Sequence, residues 1–531
     1  MWTIARVDLL RRVRRPGFLW FIAALLLIGY YLVPSPTAGY ATLTYQGARG
    51  IYNSGHIGAT VAVLTSLLVS LVGFYLIVGT ISNDRHTGLG YIVASTPVTR
   101  LTYVYGKLMG SFLYLLTFPA ILWIASIAMH LWRGERNPQL FILTWPFLLL
   151  PTVTAAVVAG IAVLFENIRW LTGTLGLVIY FFLWLAGLTL PLASRGEAAP
   201  YLDLSGIAIV TESLVHFFGN MASMTNSGIT VGVVTGKTIG TFDWPGIAIN
   251  MAIVWPRLAW AAFGLGLGIL SAGLFDRFDP ARERRRPARP PASPFSLVVS
   301  NETTRSSSPG VLSPHLFPGE MVPVDRSRQL KGLWQAEMRL TLKKQRWFLP
   351  VSGLITLLAF LLPTHAVQHI GLPLALILPI GLLSDLACRE IQANTFRMVA
   401  TVPTAPQIYP LWKGGVGITI MLMVTVGPLV RFLLVGAWPT SLAVFGGIVF
   451  VVAWAIVAGA LTHNHKTFIA SYTFFWFLIV SNAVPPWLDY AGIHYAGQDA
   501  RISLAYLGLA MTVIVFSTWA RLCCQQSRWA A

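Results

Sequence analysis

Runs of about twenty apolar residues, the length needed to cross a bilayer's hydrocarbon core as a helix, recur along this chain between short polar stretches. They predict twelve spans. Six fall in the first half, at 17–33, 58–80, 108–132, 141–164, 171–193 and 255–274. Six more fall in the second, at 348–363, 372–387, 415–437, 442–461, 467–483 and 502–521, the first two of these being short. The fold class this predicts is an all-α polytopic membrane protein built as six plus six helices.

Composition agrees. Of 531 residues, 55% are hydrophobic and only 11% are charged, against roughly 25% charged in soluble domains. With both termini on the cytoplasmic side of the plasma membrane, 29 of the 37 Lys and Arg fall in inner segments, seven in outer loops, and Arg431 in a span. The positive-inside rule asks for that distribution. It also accounts for the net charge of +18, which in a soluble protein would suggest nucleic acid. Membrane lipid of the inner leaflet is the expected partner here, and nucleic acid is not. The basic cluster ahead of the first apolar run, Arg6 to Arg15, has the look of a signal peptide. It reads as a retained anchor, because its removal would leave eleven spans and break the charge parity. Cys388, Cys523 and Cys524 imply no disulfide framework.

Between the two halves the composition shifts to Arg, Pro and Ser, too polar to bury a core. This predicts a disordered cytoplasmic linker at 276–328, dividing a first permease-like half at 1–275 from a second at 329–531.

The halves echo each other. Sliding the sequence by 306 residues places Asp84 on Glu390, Pro97 on Pro403, Tyr103 on Tyr409 and Lys107 on Lys413, without a gap. Each stretch follows the second span of its half. A second correspondence, at an offset of 329, places Asp8 on Glu337 and Arg14-Arg15 on Lys343-Lys344. Both copies are basic segments running into the first span of a half, as an interfacial helix on the inner leaflet would. On the first, Trp2, Leu9, Leu10 and Val13 share a side into which Arg6 intrudes. Within the 83–107 stretch, Asn83 or Asp84 is expected to cap a short helix. That helix must stop near Ser95 or Thr96, ahead of Pro97. Thr96-Pro97 is then expected to restart a helix through Lys107 into the third span.

The order of these features resembles the type-2 ATP-binding-cassette exporter permeases. The first half carries Asp84, Gly88, "STPVTR", Tyr103 and Gly106-Lys107; the second carries Glu390, Asn394-Thr395, "TVPTAP", Tyr409 and Lys413. The basic elbow helix, the six-span half and the tether also suit the family, so the resemblance covers nearly the whole chain. It implies that each stretch is a coupling helix docking into a groove of a separate cytoplasmic ATPase, two copies per permease, with room for further transporter subunits. Carried over residue by residue, the contact set is Asp84, Arg85, Gly88, Pro97, Arg100, Tyr103 and Lys107, with Glu390, Thr395, Pro403, Tyr409 and Lys413 in the repeat. Leu89 stands where the family has Thr, Asn394 replaces Gly, and Pro406 and Pro410 crowd the second copy. The two halves are therefore expected to couple unequally.

ATP and Mg²⁺ are expected on the partner, with no cofactor in this chain. The nearest approach to a phosphate loop, "VGVVTGKT" at 231–238, has three residues between its glycines where four are needed. A secondary carrier of the major facilitator type also has twelve spans, but "GTISNDRHTG" places Asp84 and Gly88 one position late for its signature and has Leu89 for Arg. Ion-coupled carriers also hold ionisable groups near the midplane; no buried carboxylate pair is evident. An enzyme would need a catalytic or metal cluster. The candidates, His365 with His369 and His463 with His465, lack nearby acidic or thiol ligands, so the chain reads as a permease and not an enzyme. The outer segment 194–250 is apolar around 204–224 and is expected to dip into the membrane as a small gate.

Overall fold

A computed structural model describes every residue except 15–16, 37–39, 46–47, 169, 194–198, 219–228, 236–239, 279–325, 346–347, 387, 394, 396–404, 463, 481–487, 495–500 and 513–531. The chain divides into two compact units, Met1–Arg284 and Arg285–Ala531. Both are helical, and among the described residues seven helices are long and apolar enough to cross a membrane. Four lie in the first unit (Ser54–Arg85, Arg100–Arg133, Leu140–Asn167, Met251–Leu274) and three in the second (Thr364–Leu386, Leu411–Leu434, Trp438–Thr462). The bent pair Trp2–Val13 and Phe18–Leu32 would make an eighth. The protein is thus a polytopic helical membrane protein.

Twelve spans were expected, and the other five fall on further helices or reach outside the described residues. The first, fifth and seventh fall on Gly17–Leu32, Thr174–Ala193 and Phe348–Leu361, of 16, 20 and 14 residues. Phe348–Leu361 ends two residues before Pro363, whose ring disfavours helix ahead of it. The eleventh is represented by His465–Val480, and the twelfth begins in helical 501–512 before passing outside the described residues.

The first unit also holds an element that the hydropathy pattern did not predict. Four strands, β1 (Tyr40–Tyr45), β2 (Ala48–Gly50), β3 (Ile229–Thr235) and β4 (Thr241–Phe242), form a sheet in the order β3-β1-β2-β4. β1 is antiparallel to β2 and β3, and β2 is parallel to β4. The helical membrane architecture expected from the pattern stands, and this one small sheet is added to it. The sheet is anchored to the neighbouring helix ends by polar contacts. Arg49 donates two hydrogen bonds to Glu135, at 2.8 and 2.9 Å, and the Tyr52 amide donates to the same carboxylate at 2.9 Å. The Arg49 bond, more than the backbone one, holds the Glu135 carboxyl below its ordinary range, and the Arg49 guanidinium is raised in turn. Asn53 caps the helix that begins at Ser54, accepting from the His56 amide at 2.8 Å, while its amide nitrogen donates to Asp243 and the Trp244 carbonyl. The phosphate-loop-like stretch runs along β3, with 236–239 outside the described residues.

At this sheet end, the expected membrane-dipping segment is a helix, Ile207–Phe218, with 219–228 outside the described residues. Asp203 accepts from the amides of Gly206 and Ile209 at its start. Arg257, fully buried on the helix Met251–Leu274, lies 3.6 Å from Asp203 and donates to the Leu204 carbonyl at 3.0 Å.

Candidate functional site

The end of the first unit opposite the sheet is built around the 83–107 stretch. After the long helix from Ser54 the chain turns at Gly79 in a left-handed conformation, φ 96°, and enters a short helix, Thr80–His86. The cap is supplied from a distance. Glu166, near the end of the helix Pro151–Asn167, accepts four backbone amides, from Gly79, Thr80, Ile81 and Ser82, at 2.5 to 3.0 Å. One carboxylate thus satisfies the donors that a helix start leaves unpaired. Gly88, at φ 78°, a region that costs residues with a Cβ, begins a second short helix, Leu89–Ser95. The expected capping by Asn83 or Asp84 is corrected: both lie inside Thr80–His86, and Gly88 occupies the N-cap of the next helix. The restart also differs. Thr96 and Pro97 are extended or coil, and Thr99 caps the helix Arg100–Leu115, accepting from the Thr102 amide.

Three residues that two separate sequence offsets had matched converge here. Asp8, on the helix Trp2–Val13, Asp84, in the loop, and Lys107, at the foot of the third span, are each at least 94% buried. The Lys107 ammonium donates to Asp8 at 3.1 Å and lies 2.8 Å from Asp84. Arg12 pairs with the other oxygen of Asp8 at 3.1 Å and donates to Thr80 and Ser111. The Tyr103 hydroxyl donates to Asp84 at 2.8 Å. Two acids and two bases are therefore neutralised inside the protein, as buried charge requires.

The second unit repeats the pattern with one substitution of source. Glu337, on the helix Arg326–Lys344, Glu390, on Arg389–Gln392, and Lys413, on Ala405–Leu434, form the equivalent triad. Lys413 is fully buried and bonds Glu337 at 3.0 Å and Glu390. The second cation is Arg389, from the loop, at 2.8 Å from Glu337, where the first unit uses Arg12 from the basic helix. The rings of Tyr409 and Trp412 stand 5.8 and 4.5 Å from the Lys413 ammonium.

The sequence-predicted contact residues thus separate into two groups. Asp84, Tyr103, Lys107, Glu390, Tyr409 and Lys413 are buried and serve as internal braces, so in this conformation they do not form a contact surface. Arg85 is half-buried and Pro97 and Arg100 are exposed. Thr395 is also exposed, its amide and hydroxyl both directed to the Glu390 carbonyl. Arg15 and Pro403 lie outside the described residues; Arg14 and Lys343 are exposed, and Lys344 closes its helix. The basic helix Trp2–Val13 packs through Ala5 and Asp8, not the Trp2, Leu9, Leu10 and Val13 side; Trp2 is 61% exposed. Gly106 makes this approach possible, since a Cβ there would stand 2.8 Å from Ile4.

The second short helix of the loop turns large apolar side chains outward. On Leu89–Ser95, Leu89, Tyr91 and Ile92 are 42%, 57% and 62% exposed, while Gly90 is turned inward. The geometry makes one mechanical piece: loop, basic helix and third span meet at a single ammonium, so displacing the loop alone would strip a buried charge of its partner. Arg12, Arg389, Glu166, Thr80 and Thr341, whose hydroxyl accepts from Arg389 at 3.2 Å, were not singled out from sequence as parts of this site. Arg12 sits four residues after Asp8 and Arg389 beside Glu390, and that spacing was the available signal. Of the segment 276–328 read as a linker, 276–278 pack onto the loop and 326–328 open the helix Arg326–Lys344, while 279–325 lie outside the described residues.

Elsewhere, the tilted rings of His365 and His369 lie with centroids 4.3 Å apart and His494 at 5.5 Å from His369, and among the described residues no three His, Cys, Asp or Glu could hold a metal ion. No protein-family model and no curated protein matches this chain.

Proposed function

We propose that this chain is the membrane-spanning permease of a type-2 ATP-binding-cassette exporter, moving its substrate with energy from a separate ATPase. The observation that carries the reading is the loop helix Leu89–Ser95. It offers three exposed apolar side chains outward and is tied from behind, through Asp84 and Lys107, to a span. A docking helix that transmits force needs both properties. The repetition of the triad in the second unit supports two fused six-span halves, each with one docking loop and one interfacial basic helix. On this reading the loop end faces the cytoplasm, both termini lie there, and the membrane is the plasma membrane. ATP and Mg²⁺ are held by two ATPase copies, and the chain itself performs no hydrolysis.

The test is affinity purification of the full chain from its native membrane. An ATPase should accompany it, and Ile92→Asp with Tyr91→Ala should weaken its retention about ten-fold or more, as loss of central apolar anchors does. Transport that follows an ion gradient, with no ATPase retained, would instead establish a secondary carrier.

A further inference from the structure

The helix Met251–Leu274 ends beside the loop, and the four residues that follow are unusual. Among the described residues, Arg277 and Phe278 are the only non-glycine positions with positive φ, at 51° and 57°. Left-handed backbone is unfavourable for a residue with a Cβ, so two in succession must be held by their surroundings. They are held against the loop and against Tyr103 of the helix Arg100–Leu115. Phe275 stacks on Tyr103 with ring centroids 5.0 Å apart, and Phe278 meets the same ring edge-on at 5.6 Å. The Arg85 guanidinium lies 5.8 Å over the Phe278 ring. Arg277 donates to the Thr96 carbonyl at 2.8 Å. Gly90 is pressed against Phe278 so closely that a Cβ would come within 2.7 Å of the ring. Both phenylalanines are buried.

The other end of the same helix is fixed as firmly. Arg257, one turn and a half from its start, holds the Asp203–Leu204 turn that begins the helix Ile207–Phe218. Between these attachments the helix continues unbroken over 257–274, eighteen of its 24 residues, about 27 Å at 1.5 Å per residue. Gly264 lies against Gly160 with no room for a side chain, so it packs closely along Pro151–Asn167.

We infer that Met251–Leu274 is a connecting rod: the Phe275–Phe278 clasp makes it follow the loop helix, and Arg257 passes that movement to the segment at the sheet end. The clasp residues act by positioning, and Tyr103 joins them to the ion cluster, since its ring bears the phenylalanines and its hydroxyl bonds Asp84. This rests on the permease reading, and the experiment separates the two.

In proteoliposomes containing the permease with its co-purified ATPase, Phe278→Ala should lower substrate moved per ATP hydrolysed about five-fold, the scale of a modest coupling free energy. Complex yield and basal ATPase rate should be unchanged, and Phe278→Tyr should restore coupling. Gly90→Ala should reproduce the defect in the wild type and add nothing in the Phe278→Ala background, because the ring it would strike is gone. A fluorophore at Glu212→Cys, on the exposed side of the sheet-end helix, should respond to a non-hydrolysable ATP analogue in the wild type and not in Phe278→Ala. With the three native cysteines changed to serine, Gly90→Cys with Phe278→Cys should cross-link on mild oxidation, whatever ATPase is present. Additive effects of Gly90→Ala and Phe278→Ala, a persisting Glu212→Cys response, or no cross-link alongside coupled transport would overturn the rod. The absence of any ATPase would overturn the permease reading instead, and the cross-link would still test the clasp geometry.

Discussion

A lysine ammonium with no exposure to solvent is tolerable only while its partners stay in place. Lys413 is fully buried between Glu337 and Glu390, and among the described residues Glu390 has no other cation within bonding distance. Lys413→Met would leave a buried carboxylate uncompensated, which costs about 3–5 kcal/mol. Lys107→Met should cost less. Asp8 keeps Arg12 at 3.1 Å, and Asp84 keeps the Tyr103 hydroxyl and the half-exposed Arg11 at 3.7 Å. Thermal unfolding of the purified chain in detergent should therefore rank Lys413→Met below Lys107→Met and both below the wild type; the reverse order would contradict this account. These lysines were legible in the sequence as a matched pair, but their burial was not. Nothing in a sequence offset tells an exposed contact from a buried brace. The distinction comes from Asp8 and Glu337, which approach from a different segment and complete the charge balance inside.

Secondary structure divides the same way between what the pattern carried and what it did not. Helices with a long apolar run were legible, because each satisfies its own backbone within one segment. The sheet was not, since β1 and β3 pair across more than 180 residues of sequence and β2 has only three residues. The basic helix Trp2–Val13 was legible as an element with an apolar arc expected to lie on the inner leaflet, but the side that packs on the protein, small Ala5 with charged Asp8, was not. The two copies also differ in how they pack. Gly106 lets Ile4 approach in the first unit, while its match at offset 306, Trp412, is a bulky buried ring in the second. The anchoring of the sheet makes a pH prediction at this scale. The Glu135 carboxyl is held below its ordinary range, chiefly by Arg49, so its contribution is fully present above the ordinary glutamate pKa and is lost as pH falls through the lowered one. The Tyr52 amide donates to Glu135, and its protection from hydrogen exchange should fall on acidification through that window when the rate is referred to the intrinsic base-catalysed rate at each pH. Glu135→Gln should exchange faster at neutral pH and lose the acid step; an acid step that survives in Glu135→Gln would place its origin elsewhere.

At the scale of the molecule the two triads are chemically alike and structurally unequal. The first-unit loop holds a seven-residue helix with three exposed apolar side chains, clasped by Phe275 and Phe278, and capped through Glu166. The second-unit loop begins with a four-residue helix, Arg389–Gln392, and Pro406 and Pro410 follow at the start of the next. Asp84→Asn and Glu390→Gln keep shape and remove one buried charge each, so each frees its loop from the span without emptying a cavity. If the loops transmit force through these braces, both substitutions lower transport while the amount of inserted protein is unchanged. Asp84→Asn should lower it more, because the loop it releases carries the exposed apolar helix Leu89–Ser95 and is clasped to Met251–Leu274, while Pro406 and Pro410 crowd the matching stretch. The double variant should abolish transport. Equal losses from the single variants, measured as transport per inserted molecule in native-membrane vesicles, would show that the halves contribute alike despite their different loops. A double variant with wild-type transport would show that the ion clusters hold the fold and carry none of the force. The stability ranking of Lys107→Met and Lys413→Met runs in the opposite sense, with the second unit the more sensitive, so a general loss of folding cannot imitate the pattern expected for coupling.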